Sequence, residues 1–237
     1  QNPVPWIHKE PSLDAYRTVF SRFPLLRAIG NSFLITGSYT AVTILSASMA
    51  AFAITKIKFP WAESIFKLYL ASMMIPTQVT LIPLFVIMNK LGLTNTYPSV
   101  ILPSLFRAFA VFMLVQQMRS IPNDFMEAAR IDGAGHWKIL WWVLAPMSKS
   151  AFVTLGLLSF LGCYNSYLWP SLLLRRKEKY LVSMGLQAFF TAEGAYGLKW
   201  GTIMAACCVI VFPLLLLFLF GQRWILNGIT SDSAVKE

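Results

Sequence analysis

The side chains able to do chemistry are few in this chain of 237 residues: ten acids, two histidines and three cysteines. Cys207 and Cys208 are adjacent and Cys163 stands alone, so no framework of spaced pairs reads as disulfides and there is no CxxC. With His8 and His136 as the only imidazoles, a metal site is not expected. No Gly is followed by Lys, so no G-x-x-x-x-G-K-[ST] loop is present to cradle nucleotide phosphates. Two features remain. Arg107 interrupts an otherwise uncharged apolar run, where a central charge costs about 2.5–3.5 kcal/mol on insertion scales. It must face protein or water, either as a snorkelling or structurally paired arginine or as a cavity residue meeting an anionic or hydroxylated substrate. The second feature is a polar stretch carrying Asp124, Glu127, Ala128, Ala129, Asp132 and Gly133.

Composition says what must position them. Hydrophobic residues make up 57% of the chain and charged ones 13%, with a mean hydropathy of +0.61, too apolar for a disordered segment or a simple soluble fold. Charge-free runs over 28–55, 68–89, 150–174 and 200–222, and 91–118 with its single Arg107, each reach the roughly 20 residues that cross a bilayer core. An all-α membrane protein with five transmembrane helices follows, with kinks expected at Pro76, Pro83 and Pro103. The net charge of +10 sits mostly between these runs, as suits phospholipid headgroups rather than a nucleic acid. Orientation is not given by charge: nine basic residues lie on one side and ten on the other. Residues 1–27, with Pro3, Pro5, Pro11 and Pro24, read as a loop with a short interfacial helix around Leu13–Phe20.

The stretch 119–149 breaks the membrane pattern. Pro122 and Asn123 supply a helix start, Asp124 and Glu127 follow in its first turns, and Phe125, Met126 and Ala129 recur on one face until Gly133 stops it. A second amphipathic piece, His136–Val143, leads to Pro146. The first helix suits either the groove of a soluble partner or a resting place on headgroups with Glu127 and Arg130 as a surface pair.

The run Glu127-Ala128-Ala129, three residues, Gly133, nine residues, Val143-Leu144-Ala145-Pro146 resembles the EAA loop of permease subunits in binding-protein-dependent ABC importers, with Val for Ile and Ala for Leu at its end. Asn31-Ser32, Ala50-Ala51-Phe52-Ala53 with Phe59, and Leu91-Gly92-Leu93-Thr94-Asn95-Thr96 resemble segments of the carbohydrate branch in the same order. Tyr164-Asn165-Ser166-Tyr167-Leu168-Trp169-Pro170 is similar to that branch's W-N-x-x-x-x-P stretch, and the tail from Gln222 through Gly228-Ile229-Thr230 to Ala234-Val235-Lys236 to the second permease of maltose-type importers.

The resemblance implies a six-helix ABC importer permease fold in a prokaryotic cytoplasmic membrane, five of its helices visible and one expected before this chain begins. It places 1–27 and 175–199 outside, and the loop 119–149 and tail 227–237 inside. It implies no cofactor in this chain, with ATP and Mg held by two cytoplasmic ATPase subunits, and as further partners a second permease and an extracytoplasmic solute-binding protein. Glu127, Ala128, Ala129, Asp132 and Gly133 would form the ATPase-coupling helix, with Ala128 and Ala129 as a close-packing face and Gly133 as the bend.

An ion-coupled carrier would hold Asp, Glu or His near the bilayer midplane, but all ten acids and both histidines lie outside the apolar runs. A membrane scaffold for a soluble enzyme is the other alternative. For the substrate pathway, Tyr164, Asn165, Tyr167 and Trp169 could stack on and hydrogen-bond a sugar, or serve as packing and interfacial anchors. Arg175, Arg176, Lys177, Lys179 and Lys199 make one outer loop basic, through headgroup contact, docking of an acidic binding protein, or steering of an acidic saccharide.

Overall fold

The computed structural model describes residues 13–194 and 200–231, helix and turn with no strand among them. His8, Lys9, Lys199 and the segment Ala234-Val235-Lys236 lie outside the described residues. After a short helix α1 (Asp14–Arg22) comes α2 (Leu25–Lys56), whose 32 residues form one helix long and apolar enough to cross a membrane. Its buried positions Ser32, Ile35, Tyr39, Thr43, Ala47 and Ala51 recur every three to four residues and define a single inward face. Most of that face is small, which lets neighbouring backbones approach closely where lipid gives no hydrophobic drive for association.

Three of the expected spans are not straight. α3 (Ala62–Met73) and α4 (Thr77–Lys90) meet at a bend of 104°. Pro76 sits at that break with an extended backbone, whereas Pro83 lies inside a continuous α4, so one of the two prolines ends a helix and the other is absorbed. Residues 91–96 are turn rather than helix. α5 (Tyr97–Ile101) continues in a 3-10 turn, Leu102–Phe106, that carries Pro103, and α6 (Ala108–Arg119) follows at 41°. The break is at Arg107, whose ψ of 98° is extended, rather than at the proline.

α7 (Asp124–Ile131) is the short polar helix. α8 (His136–Met147), π-helical over Ile139–Leu144, meets α9 (Lys149–Tyr164) at 87° across Ser148. The apolar run expected to continue to Leu174 therefore ends as a helix at Tyr164 and restarts as α10 (Leu168–Leu173). α11 (Val182–Gly194) and α12 (Trp200–Ser231), the latter continuous through Pro213, complete the described chain.

The core has three parts, all touching α2. One joins Ala47, Ala51 and Phe52 to Leu114 and Met118 of α6, Met126 of α7, Leu140 and Leu144 of α8, and Leu155 of α9. A second packs Leu25 and Ala28 on Tyr164, Val182 and Ala206. The third sets Ile35 and Tyr39 against Val100, Cys163 and Leu173. By contrast, only Phe66 of α3 and Met88 of α4 are buried, while Leu68, Val79 and Ile82 are each about two-thirds exposed (69%, 65% and 69%). Apolar surface of that extent belongs against lipid or another membrane subunit.

Near α1, the ring of Phe23 rests on Gly185: a Cβ built there would lie 2.5 Å from Phe23 Cε1. Gly185→Ala should therefore push the ring out of its seat at a cost of about 1–3 kcal/mol. The expected result is a thermal midpoint several degrees lower in detergent; an unchanged midpoint would mean that Phe23 swings clear without loss.

Candidate functional site

Two places in the fold collect candidate side chains, one at the outer surface of α7 and one in a cavity beside the middle of α2. α7 is only eight residues and would not persist alone in water. It is held by Met126, which is buried, and by half-buried Ala129, both packed on the core. The opposite side presents Asp124, Glu127, Ala128 and Ile131, all exposed, with Ile131 at 87%. Ala128 and Ala129 thus lie on opposite faces rather than forming one close-packing surface, and Phe125, expected on the inner face, is half exposed on the flank. Glu127 and Arg130 form no ion pair with each other; the surface ion pair nearby is Arg119 to Glu63 at 3.0 Å.

Gly133 terminates α7 with φ of +77°. The Ala134 N–H donates to the Ala129 carbonyl at 2.9 Å and the Gly133 N–H to that of Arg130 at 3.0 Å, the paired bonds of a Schellman end, with Asp132 as the exposed cap residue. At the other end the Asn123 carbonyl accepts from the N–H groups of Met126 and Glu127 at 2.9 and 3.0 Å. Lys56, the last residue of α2 and buried at 8% exposure, donates from Nζ to the Ile121 carbonyl at 2.7 Å and to Asn123 Oδ1 at 3.0 Å.

The cavity encloses about 450 Å³ and is lined by polar Tyr39, Gln78, Arg107 and Ser166, the ring of Trp169, and aliphatic neighbours such as Leu81. Arg107 is the one charged residue among those lining it. Its Nη1 donates to the Tyr39 hydroxyl, and its guanidinium carbon lies 5.7 Å from the centre of that ring. The indole N–H of Trp169 is buried with no acceptor among the described residues. So Arg107 and Trp169 share the cavity. Tyr164 does not: its ring packs on Phe33 and Phe160, and its hydroxyl donates to the Ile210 carbonyl at 3.1 Å. Asn165 and Tyr167 are exposed and line no part of it. Tyr39 was missed in the sequence, though an arginine inside an apolar run requires a nearby acceptor, and a tyrosine on the inward face of a neighbouring helix could supply one.

The basic segment 175–179 is fixed at the end of the fold where α2 begins. Asn95, at φ of +59°, accepts on Oδ1 from the N–H groups of Arg175 and Arg176, both at 3.2 Å. Asn31 donates to the Glu178 and Tyr180 carbonyls at 2.8 and 3.2 Å and accepts from the Tyr97 hydroxyl at 3.0 Å. The Ser32 hydroxyl accepts from the Val182 N–H at 2.8 Å. The Asn31-Ser32 and Asn95 segments of the sequence pattern therefore share one job, holding this loop.

Residues 29–230 match the family model described as "Binding-protein-dependent transport system inner membrane component". The chain is 31% identical over 220 residues to an arabinooligosaccharides transport system permease protein of Halalkalibacterium halodurans, covering 92% of this chain and 78% of the relative. It is 32% identical to a diacetylchitobiose uptake system permease protein of Streptomyces coelicolor, over 86% of this chain and 68% of that one. An sn-glycerol-3-phosphate transport system permease protein of Yersinia pestis is 30% identical, with coverages of 85% and 72%. Among solved structures, a chain of a bacterial ABC transporter involved in import of the acidic polysaccharide alginate superimposes with a TM-score of 0.82 at 24% identity, covering 94% of this chain and 83% of that chain.

Proposed function

Because the chain belongs to the family of inner-membrane components of binding-protein-dependent transport systems, we propose that it is the permease subunit of an ATP-driven saccharide importer and that Asp124–Ile131 is the helix through which ATPase subunits drive it. The observation that carries this reading is the division of α7 into a face seated on the bundle through Met126 and Ala129 and an outward face of Asp124, Glu127, Ala128 and Ile131. An amphipathic helix whose second face is acidic at its rim and apolar at Ile131 fits a groove on a soluble partner. Glu127 is the anchor for a basic or N–H-rich groove, and Gly133 sets the exit of the chain from it.

The partners are a second permease, two ATPase subunits that hold ATP and Mg, and a solute-binding protein outside. The apolar surfaces of α3 and α4 are available to the second permease. Alternating access follows from small rigid shifts of helices as the ATPases close. The basic cavity arginine and the basic loop over 175–179 favour a saccharide that carries anionic groups.

Reconstituting the subunit with a cognate ATPase, second permease and binding protein tests the reading. ATP hydrolysis should rise several-fold when binding protein loaded with saccharide is added, and uptake should survive collapse of the proton gradient at constant ATP. Uptake that collapses with the gradient, with no ATPase associated, would establish an ion-coupled carrier instead.

A further inference from the structure

We propose that Lys56 is a positioning residue that pins the start of α7 to α2, so that α2 and α6 move as one body and carry a displacement of α7 to the Arg107 cavity. This deepens the coupling role given to α7 and rests on it. A lysine at a helix C-terminus ordinarily complements the helix's own carbonyls from the solvent side. Lys56 instead is buried and reaches out of its helix to two neutral acceptors in the single turn that joins α6 to α7. The acceptor side is equally unusual. An asparagine at a helix start normally turns its side-chain oxygen onto its own helix's free N–H groups. Asn123 makes no such side-chain cap, and Oδ1 is given to Lys56.

A second pin joins the same two helices farther along. Arg107, the residue that immediately precedes α6, donates to Tyr39 of α2 inside the cavity. From Tyr39 to Lys56 is about 26 Å of helix at 1.5 Å per residue. Between the pins the contact is dry and close: Ala47 and Ala51 of α2 meet Ala110, Leu114 and Met118 of α6, none more than 1% exposed. Tight packing of this kind passes on a displacement rather than absorbing it. With both ends tied, α7 cannot move without α2, and α2 cannot move without shifting the wall that holds Tyr39 and Arg107.

The test uses the whole transporter in proteoliposomes, with Cys163, Cys207 and Cys208 replaced by Ala and Leu81→Cys placed as a reporter in the cavity. The rate at which a charged methanethiosulfonate reagent modifies that cysteine is measured with and without ATP and vanadate. With Lys56 intact, trapping the ATPases should change the rate fivefold or more. Lys56→Met should reduce that change to less than twofold and Asn123→Ala, which keeps the Ile121 acceptor, to no more than threefold, while ATP hydrolysis stays above half, and Lys56→Arg should restore it. A full-sized change in Lys56→Met, or equal losses of hydrolysis and rate change, would overturn the pin and leave the coupling role standing. No change with Lys56 intact would instead remove the coupling role itself. Should Lys56→Met fail to assemble, Asn123→Ala decides, because it leaves the ammonium its Ile121 acceptor and removes only one bond.

Discussion

Gly133→Val should cut ATP-driven uptake tenfold or more, whereas Gly133→Asn should keep at least a third of it. At φ of +77° the residue sits where a side chain crowds its own backbone. An ordinary residue there costs about 1–2 kcal/mol, a β-branched one more, and Asn less because it visits this region readily. Nothing lies within 4 Å of a Cβ placed on Gly133, so the loss would come from backbone conformation alone and not from a clash. The cheapest escape is to unwind the Schellman end, which releases the Ala134 to Ala129 and Gly133 to Arg130 bonds. α7 then loses its exit angle, and with only eight residues it has little helix of its own to fall back on. Ala134 packs on the same core as Ile139 and Leu140, so α8 should stay in place while the outward face of α7 turns. Uptake and ATP hydrolysis measured together on the assembled transporter check this: hydrolysis should persist when uptake is lost. Native uptake in Gly133→Val would show that the end of α7 tolerates any geometry.

That motif was legible in the sequence because its parts are local. A helix start at Pro122-Asn123, acids in the first turn and a glycine stop are written in neighbouring residues, and α7 begins at Asp124 and ends one residue before its cap, as that pattern requires. The faces were read less well, since Phe125, expected beside Met126, is half exposed, and Ala128 and Ala129, expected on one close-packing face, are split between the outer and inner sides. The long apolar runs were legible as membrane helices kinked at prolines, and the break at Pro76 is one of those expected, but the breaks at Arg107, Ser148 and Tyr164 were not foreseen. In water, the buried side of a helix announces itself as an apolar stripe, but here the lipid side and the core side are both apolar, and periodicity no longer separates them. For the same reason Pro76 and Pro83 look alike in sequence, although one marks a 104° bend and the other sits in continuous helix. Nor does local pattern reveal the bend at Ser148, which depends on α8 packing across the bundle before α9 turns away. The polar pairs Tyr39–Arg107 and Lys56–Asn123 join residues 68 and 67 positions apart, a separation at which spacing says nothing.

Arg107→Gln should lower uptake of an anionic saccharide, such as a uronate oligosaccharide, tenfold or more, and uptake of a neutral one of equal length less than threefold. Glutamine keeps a donor for the Tyr39 hydroxyl, so the pin at the start of α6 is weakened rather than lost, and what disappears is the charge. A guanidinium has five N–H donors in a planar fork matched to carboxylates. With one spent on Tyr39, the remainder can still face the cavity. Hydrogen bonds to charged groups contribute about 1.5–3 kcal/mol, and the lower bound alone corresponds to roughly tenfold. Arg107 is exposed in this chain, so the discrimination should be largest at low ionic strength. Tyr39→Phe supplies the contrast: it frees the guanidinium but removes the pin, so it should impair both saccharides alike. If Arg107→Gln also impairs both alike, the charge serves only to hold α6 against α2, and the cavity reads its substrate through Gln78, Ser166 and the Trp169 ring instead. If the two variants separate as expected, one arginine both recognises the cargo and ties the wall around it to the helix that moves it.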